Sequence, residues 1–168
     1  MQTQPITRRV TTRVPDRDFI RVGRSSIEGK GVFAKRKIPR GSRIIEYVGT
    51  RVPVTKLFAA VPGDGKPAAV YAFRLNDTTV IDGARGGNNS RFINHSCEPN
   101  CETYCFDDHL YVYAMRDITR GEELTFDYRL GSRNGSRSKK RDLIDHACRC
   151  GSPKCRGTMV APRKRRST

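Results

Sequence analysis

A mostly β domain, with many short strands and few helices, is what this sequence predicts, and three observations predict it. Short runs of β-branched and aromatic residues lie between Gly, Pro and Ser breaks, the usual signature of short strands. One run, "DHLYVYAM" at 108–115, alternates apolar and polar positions cleanly. Only one stretch has the composition and length of a helix.

Taken in order, "DFIRVGRS", "GVFAKRKI" and "RIIEYVGT" read as strands, with "KIPRGSR" as a turn between the last two. "VTKLFAAV", Val54 to Val61, suits a short helix ended by "PGDGKP". "VYAFRL" and "TTVIDG" form a pair of strands around "NDT". "DHLYVYAM" puts Tyr111 and Tyr113 on one face. "RDITRGEELTFDY" turns at Arg120-Gly121 and then enters a strand. From Arg129 to Arg141 the composition shifts to Gly, Ser, Arg and Lys, which marks a linker or mobile loop, and "RKRRST" closes the chain as a tail. No internal repeat is present.

The chain has 168 residues, enough for one domain and hardly two. No apolar run approaches the length of a membrane-spanning helix, and the first residues lack the apolar centre of a secretory signal, so an intracellular protein without membrane contact is expected. The net charge is +16. Residues 1–24 carry six Arg and two Asp, residues 25–128 fourteen Lys/Arg and thirteen Asp/Glu, and residues 129–168 thirteen Lys/Arg and two Asp. The ends therefore hold the charge. Basic ends suit a polyanion such as nucleic acid, or else serve as solvated arms.

The chemistry concentrates in "RFINHSCEPNC". An apolar Phe92-Ile93 pair runs directly into Asn94, His95, Ser96 and Cys97, polar or reactive groups that need partners if buried. Near the end, Cys148, Cys150 and Cys155 form "CRCGSPKC". Three cysteines around a Gly-Ser-Pro turn supply three ligands of a tetrahedral zinc site, which needs a fourth. Spacing leaves Cys97, Cys101, Cys105, His95, His109 and His146 all open for that place.

The motifs "GKGVFA", "IIEYVG", "YAFRL…VIDGARGGNNSRFINHSCEPNC", "GEELTFDY" and "CRCGSPKC" occur in the order seen in SET-domain protein lysine methyltransferases. The resemblance spans about Phe19 to Met159. Its central segment is most similar to the Trithorax-like histone H3 methyltransferases, and its closing cluster resembles the post-SET motif. The chain looks like a minimal, stand-alone form. The resemblance implies a SET fold of several small sheets with a knot-like crossing, in which "NHSCEPN" passes beneath "ELTFDY". It divides the chain into a basic arm (1–18), a SET domain (19–130), a basic linker (131–147), a post-SET zinc motif (148–160) and a basic tail (161–168).

The same resemblance implies methyl transfer from S-adenosylmethionine to a lysine ε-amine in a protein, a histone or another basic nucleic-acid-associated protein. Lys30, Gly31 and Val32 would lie along the methionine part of the cofactor, with Gly29 and Gly31 permitting close backbone approach. Tyr47, Arg91, Asn94 and His95 would complete that pocket. Tyr128 would be the catalytic hydroxyl, with Tyr71 and Phe126 lining the lysine channel. Cys97 would join Cys148, Cys150 and Cys155 around a structural zinc. A Phe rather than a Tyr at 126 implies di- or trimethylation. The expected location is the nucleus or chromatin in a eukaryote, and the cytoplasm or secretion as an effector in a bacterium. Two rivals stand beside this reading: a non-catalytic nucleic-acid or chromatin-binding module with a zinc knot, and a methyltransferase for a non-histone protein such as a ribosomal protein.

Overall fold

The structure, a computed structural model, describes residues 19–59, 71–131 and 146–162. The basic arm 1–18, linker residues 132–145, the tail 163–168 and the "PGDGKP" end of the helix lie outside the described residues. The strands in chain order are β1 (Ile20–Arg24), β2 (Lys30–Ala34), β3 (Arg43–Glu46), β4 (Thr50–Pro53), β5 (Ala72–Arg74), β6 (Thr79–Asp82), β7 (Asn94–His95), β8 (Cys101–Phe106), β9 (His109–Ala114) and β10 (Glu123–Phe126). One helix, α1, begins at Val54 and runs to Ala59, and a 3-10 turn covers Asn89–Phe92.

These strands make three small sheets, ordered β1-β2-β10-β7, β3-β9-β8 and β4-β6-β5. The mostly β prediction with several small sheets is what the chain builds. Antiparallel pairing dominates, as short connections require. The exception positions the chemistry: β7 pairs parallel with β10, Thr125 opposite Asn94 and Phe126 opposite His95. Thus "INH" and "LTF" lie side by side although some thirty residues separate them.

Two turns of similar sequence, "IPRG" and "ITRG", clasp each other across the molecule. Ile38 and Ile118 exchange backbone hydrogen bonds of 2.9 Å in both directions, and both side chains are fully buried. Each turn places glycine, Gly41 or Gly121, at φ near +80° (80° and 84°), a conformation that strains other residues. The clasp closes the main core, which also holds Val32, Ile44, Ile93, Val112 and Leu124.

Two expectations need correction. "RIIEYVGT" is not one strand: β3 ends at Glu46, the chain changes sheets at Tyr47–Gly49, and Thr50 opens β4. A Cβ on Gly49 would overlap the backbone of Asp82 and Gly83, so a glycine is what lets the two segments cross this closely. The strand β8 was not expected at all. It forms a hairpin with β9 around Asp107-Asp108, which take φ of 47° and 60°. Such paired left-handed residues make the tight two-residue hairpin turn that Asp tolerates. The two-fold alternation is visible in β9, where Leu110, Val112 and Ala114 are buried and Tyr111 and Tyr113 share the outer face. Among the described residues no helix is long and apolar enough to cross a membrane.

Candidate active site

The β7–β10 pairing brings the motif residues together. Tyr128 follows β10 by two residues, and its hydroxyl donates to the Ile93 carbonyl at 2.9 Å. Its backbone N–H donates to His95 Nδ1 at 3.1 Å. His95 is therefore a neutral imidazole with its proton on Nε2, which faces Cys97 Sγ at 3.4 Å. Burial lowers the His95 pKa and Arg156 adds to that, against the opposing pull of Asp127. The 3.6 Å approach of His95 to Asp127 is then a contact of a neutral ring rather than an ion pair.

A row of aromatic rings leads to Tyr128. Centroids are 5.5 Å apart for Tyr47–Phe73, 5.9 Å for Phe73–Phe126, 5.1 Å for Phe126–Tyr128 and 5.3 Å for Tyr128–His95. Tilted geometry at these distances is favourable for ring quadrupoles. Phe126 and Tyr128 are neighbours, although the strand ends at Phe126 and so does not itself carry Tyr128 on a common face. Phe73, absent from the sequence-based set, fills the gap between Tyr47 and Phe126. Burial raises the Tyr128 pKa, and nearby Tyr71 and Glu123 raise it further, so the hydroxyl keeps its proton near neutral pH. Burial does the same for Tyr47, whose hydroxyl donates to the Tyr71 carbonyl at 2.8 Å.

Beside this row, Arg91 donates through Nη1 to the Gly83 carbonyl at 3.2 Å, and its guanidinium stands 4.7 Å from the Phe92 ring and 5.9 Å from the Tyr71 ring. Its Nε is buried without a hydrogen-bond partner among the described residues. Lys30 also reaches over Phe92, Nζ to centroid 5.2 Å. Gly29 takes φ of 37° at the β1–β2 turn with open space around it, so it is needed for conformation. Gly31 is needed for space, because a Cβ there would overlap the Glu123 carboxylate and the Ser25 side chain. Val32 is fully buried in the core, so only its backbone is available to a ligand. Asn94 donates through Nδ2 to Glu123 Oε1 at 2.8 Å, the Lys30 carbonyl at 3.0 Å and Ser25 Oγ at 3.1 Å.

Below His95, the sulfurs of Cys97, Cys148, Cys150 and Cys155 lie within 4.8 Å of one another. Cys101 is buried in the core and Cys105 is exposed on β8, while His109 meets Glu46 at 2.6 Å. None of these three, nor His95 or His146, joins the cluster. Four thiolates around a tetrahedral zinc, with Zn–S near 2.3 Å, stand about 3.8 Å apart. Cys97 and Cys148 are 3.7 Å apart, close to that spacing. Backbone N–H groups point at the sulfurs, Arg156 to Cys97 at 3.3 Å, Gly157 to Cys155 at 3.4 Å and Cys97 to Cys150 at 3.5 Å. Burial pushes the Cys97 and Cys148 thiols up, whereas for Cys150 burial is outweighed by hydrogen bonds that hold it down to about 6. Sulfurs this close cannot all ionise unless a cation lies among them, so the donor set fits a soft divalent metal.

The cluster is tied to the aromatic row. Arg156 follows Cys155 and donates through Nη2 to Asp127 Oδ1 at 2.8 Å, next to Tyr128. Leu130 bonds to Met159 and Ala161 through N–H···O contacts of 3.0 Å each, which lays the cysteine segment along the end of "FDYRL". Ser25, Phe73, Glu123, Asp127 and Arg156 thus lie at the site, although Ser25 and Arg156 fall outside the motifs and the other three, inside "YAFRL" and "GEELTFDY", had no role assigned.

Comparison with known proteins agrees with this architecture. The SET-domain family model matches residues 29–129. The chain is 39% identical over 150 residues to Histone-lysine N-methyltransferase 2B of Homo sapiens, an alignment covering 83% of this chain and 5% of that protein. It is 40% identical over 148 residues to Histone-lysine N-methyltransferase TRX1 of Oryza sativa subsp. japonica, covering 82% and 13% respectively. It is 37% identical over 146 residues to Histone-lysine N-methyltransferase, H3 lysine-4 specific, of Chaetomium globosum, covering 83% and 13%. The chain spans only a small fraction of the length of these relatives.

Proposed function

The chain belongs to the SET-domain family, and on that premise we propose that it transfers methyl groups from S-adenosylmethionine to the ε-amine of a lysine in a protein. The relatives' names support a histone as the substrate, or another basic protein associated with nucleic acid, which would bring the chain to chromatin. The observation that carries the reading is the Tyr128 hydroxyl, held by Ile93 in an aromatic row between Phe126 and His95.

When bound, S-adenosylmethionine supplies a methyl group on a positively charged sulfur. The chain's donor set suits its amino-acid end, which carries both an ammonium and a carboxylate. Arg91 offers a buried donor, and Asn94 offers Oδ1, to which no described residue donates. The backbone of Lys30, Gly31 and Val32 would line that end, with Tyr47 and His95 completing the pocket.

The reacting lysine must shed its proton, at a cost of about 4–5 kcal/mol at pH 7 for an unperturbed amine. Phe73, Phe126 and Tyr71 would surround it with apolar surface, which disfavours the charged form. Tyr128 commits its own proton to Ile93, so its oxygen is left to accept from the amine N–H. Holding the amine lone pair in line is then a matter of orientation, worth several kcal/mol of the barrier. Cys97, Cys148, Cys150 and Cys155 would hold one structural zinc. That zinc would carry no chemistry and would fix Arg156, and through it Asp127, beside Tyr128.

The test is transfer of radiolabelled methyl groups from S-adenosylmethionine onto core histones and a panel of basic proteins that includes ribosomal proteins. Label on lysine that disappears with Tyr128→Phe supports the reading. Absence of label on every protein favours the non-catalytic binding module.

A further inference from the structure

Glu123 lies beside the site with no part in the reaction described above, on β10 between β2 and β7. Both its carboxylate oxygens lie within reach of the single Ser25 hydroxyl proton, at 2.8 and 2.9 Å from Oγ, and Oε1 also accepts from Asn94 Nδ2 at 2.8 Å. Ser25 lies in the β1–β2 turn, Asn94 in β7 and Glu123 in β10, so one side chain ties together segments as far as 98 residues apart. Ser25 in turn accepts from the Ile27 N–H at 3.0 Å, which shapes the turn leading to Lys30.

An asparagine amide can sit either way round, and its neighbours decide which. Here Nδ2 faces three acceptors within 3.1 Å, the Glu123 carboxylate, the Lys30 carbonyl and Ser25 Oγ, with the Glu28 carbonyl further off at 3.5 Å. Rotated by half a turn, Oδ1 would face the same oxygens, two of them without a proton to offer, and the buried repulsion would be costly. Gly31 is part of the same device, since any side chain there would displace the carboxylate.

We propose that Glu123 is a positioning residue for cofactor binding: with Ser25 it locks the Asn94 amide so that Oδ1 faces the pocket, and it holds the β1–β2 turn against that pocket. The inference rests on the reading of Asn94 as a pocket residue. Glu123 would act through its partners Ser25 and Asn94.

The experiment measures binding of S-adenosylhomocysteine, a stable stand-in for the cofactor, by calorimetry, alongside KM and kcat. Loss of hydrogen bonds to a charged group predicts that Glu123→Ala raises Kd about ten- to a hundredfold. KM for cofactor rises in step, while kcat at saturating cofactor changes by less than about threefold, since the orientation of the lysine is untouched. Glu123→Gln keeps an oxygen for Asn94 and recovers most of the affinity, which a general loss of packing would not predict. Ser25→Ala, on the half-buried turn, weakens binding about three- to tenfold and decides the matter if Glu123→Ala does not fold. Unchanged Kd in the alanine variants, or a fall in kcat with Kd intact, overturns the inference while leaving the cofactor reading standing. Failure of the wild-type protein to bind S-adenosylhomocysteine overturns both.

Discussion

Phe126 and Tyr128 stand with ring centroids 5.1 Å apart, and on the proposed reading both face the reacting lysine. A Tyr at 126 would hold a water there, whereas Phe holds none. The wild-type protein should therefore carry a lysine to the di- or trimethyl state. Phe126→Tyr should shift the end product toward monomethyl-lysine, as read by mass spectrometry after exhaustive reaction. A wild-type reaction that stops at one methyl group would refute the argument. At this scale the motif residues were legible in the sequence because their spacing is distinctive. Ser25, Phe73, Glu123 and Arg156 were not. Each is an ordinary residue locally and gains its role only from a partner far along the chain, such as Asp127 for Arg156 or Asn94 for Glu123.

The β9–β10 turn shows how an element is held in place. Burial alone would raise the Glu122 pKa, but hydrogen bonds from Arg116, Asn100 and the Thr119 N–H hold it down to about 2. Asn100 then accepts from the Thr125 N–H at 2.9 Å, so the turn braces β10 itself. A folded pKa below the unfolded value of about 4.3 gives stability that is present above that pH and is lost as pH falls toward 2. Glu122→Gln should lower stability by about 1 kcal/mol at neutral pH, partial exposure screening the rest. In thermal melts its deficit against wild type should shrink between pH 5 and pH 2.5, and a deficit independent of pH would remove the charge from the explanation. The cysteine cluster makes a second prediction. Cys97→Ala should release zinc measured by atomic absorption, whereas Cys105→Ala, on exposed β8, should keep it. Strands were legible where alternation meets one buried face, as in β9. The division of "RIIEYVGT" between two sheets was not, because β propensity reports extended backbone and says nothing of which partner each half pairs with. The β8 strand carries no alternation, since Cys101 alone of its residues is fully buried, and the Asp107-Asp108 hairpin turn lacks the usual glycine.

Across the whole molecule, charge and chemistry occupy different places. Residues 25–128, which hold nearly all of the proposed catalytic and cofactor groups, carry fourteen basic and thirteen acidic side chains, and the excess positive charge lies in the flanking segments. Removing residues 163–168 and neutralising Arg137, Lys139, Lys140 and Arg141 should weaken binding to nucleic acid or nucleosomes. It should also flatten the salt dependence of that binding, because fewer counterions are released. Activity on a short free peptide should change far less, and an unchanged salt slope would make these segments solvated arms. The sheet pairing that joins β7 to β10 could not be read from periodicity, since two-residue strands leave no pattern, yet it is what sets Asn94 and His95 beside Thr125 and Phe126. The central claim is that this assembly performs methyl transfer through Tyr128. Its most direct test compares wild type and Tyr128→Phe in two assays, S-adenosylhomocysteine binding and lysine methylation of core histones followed by intact-mass spectrometry. The account predicts equal binding, with histone mass rising in methyl steps for wild type and at least about a hundredfold more slowly for the variant. Equal methylation by both proteins, or cofactor binding with no methylation of any protein by the wild type, would contradict it.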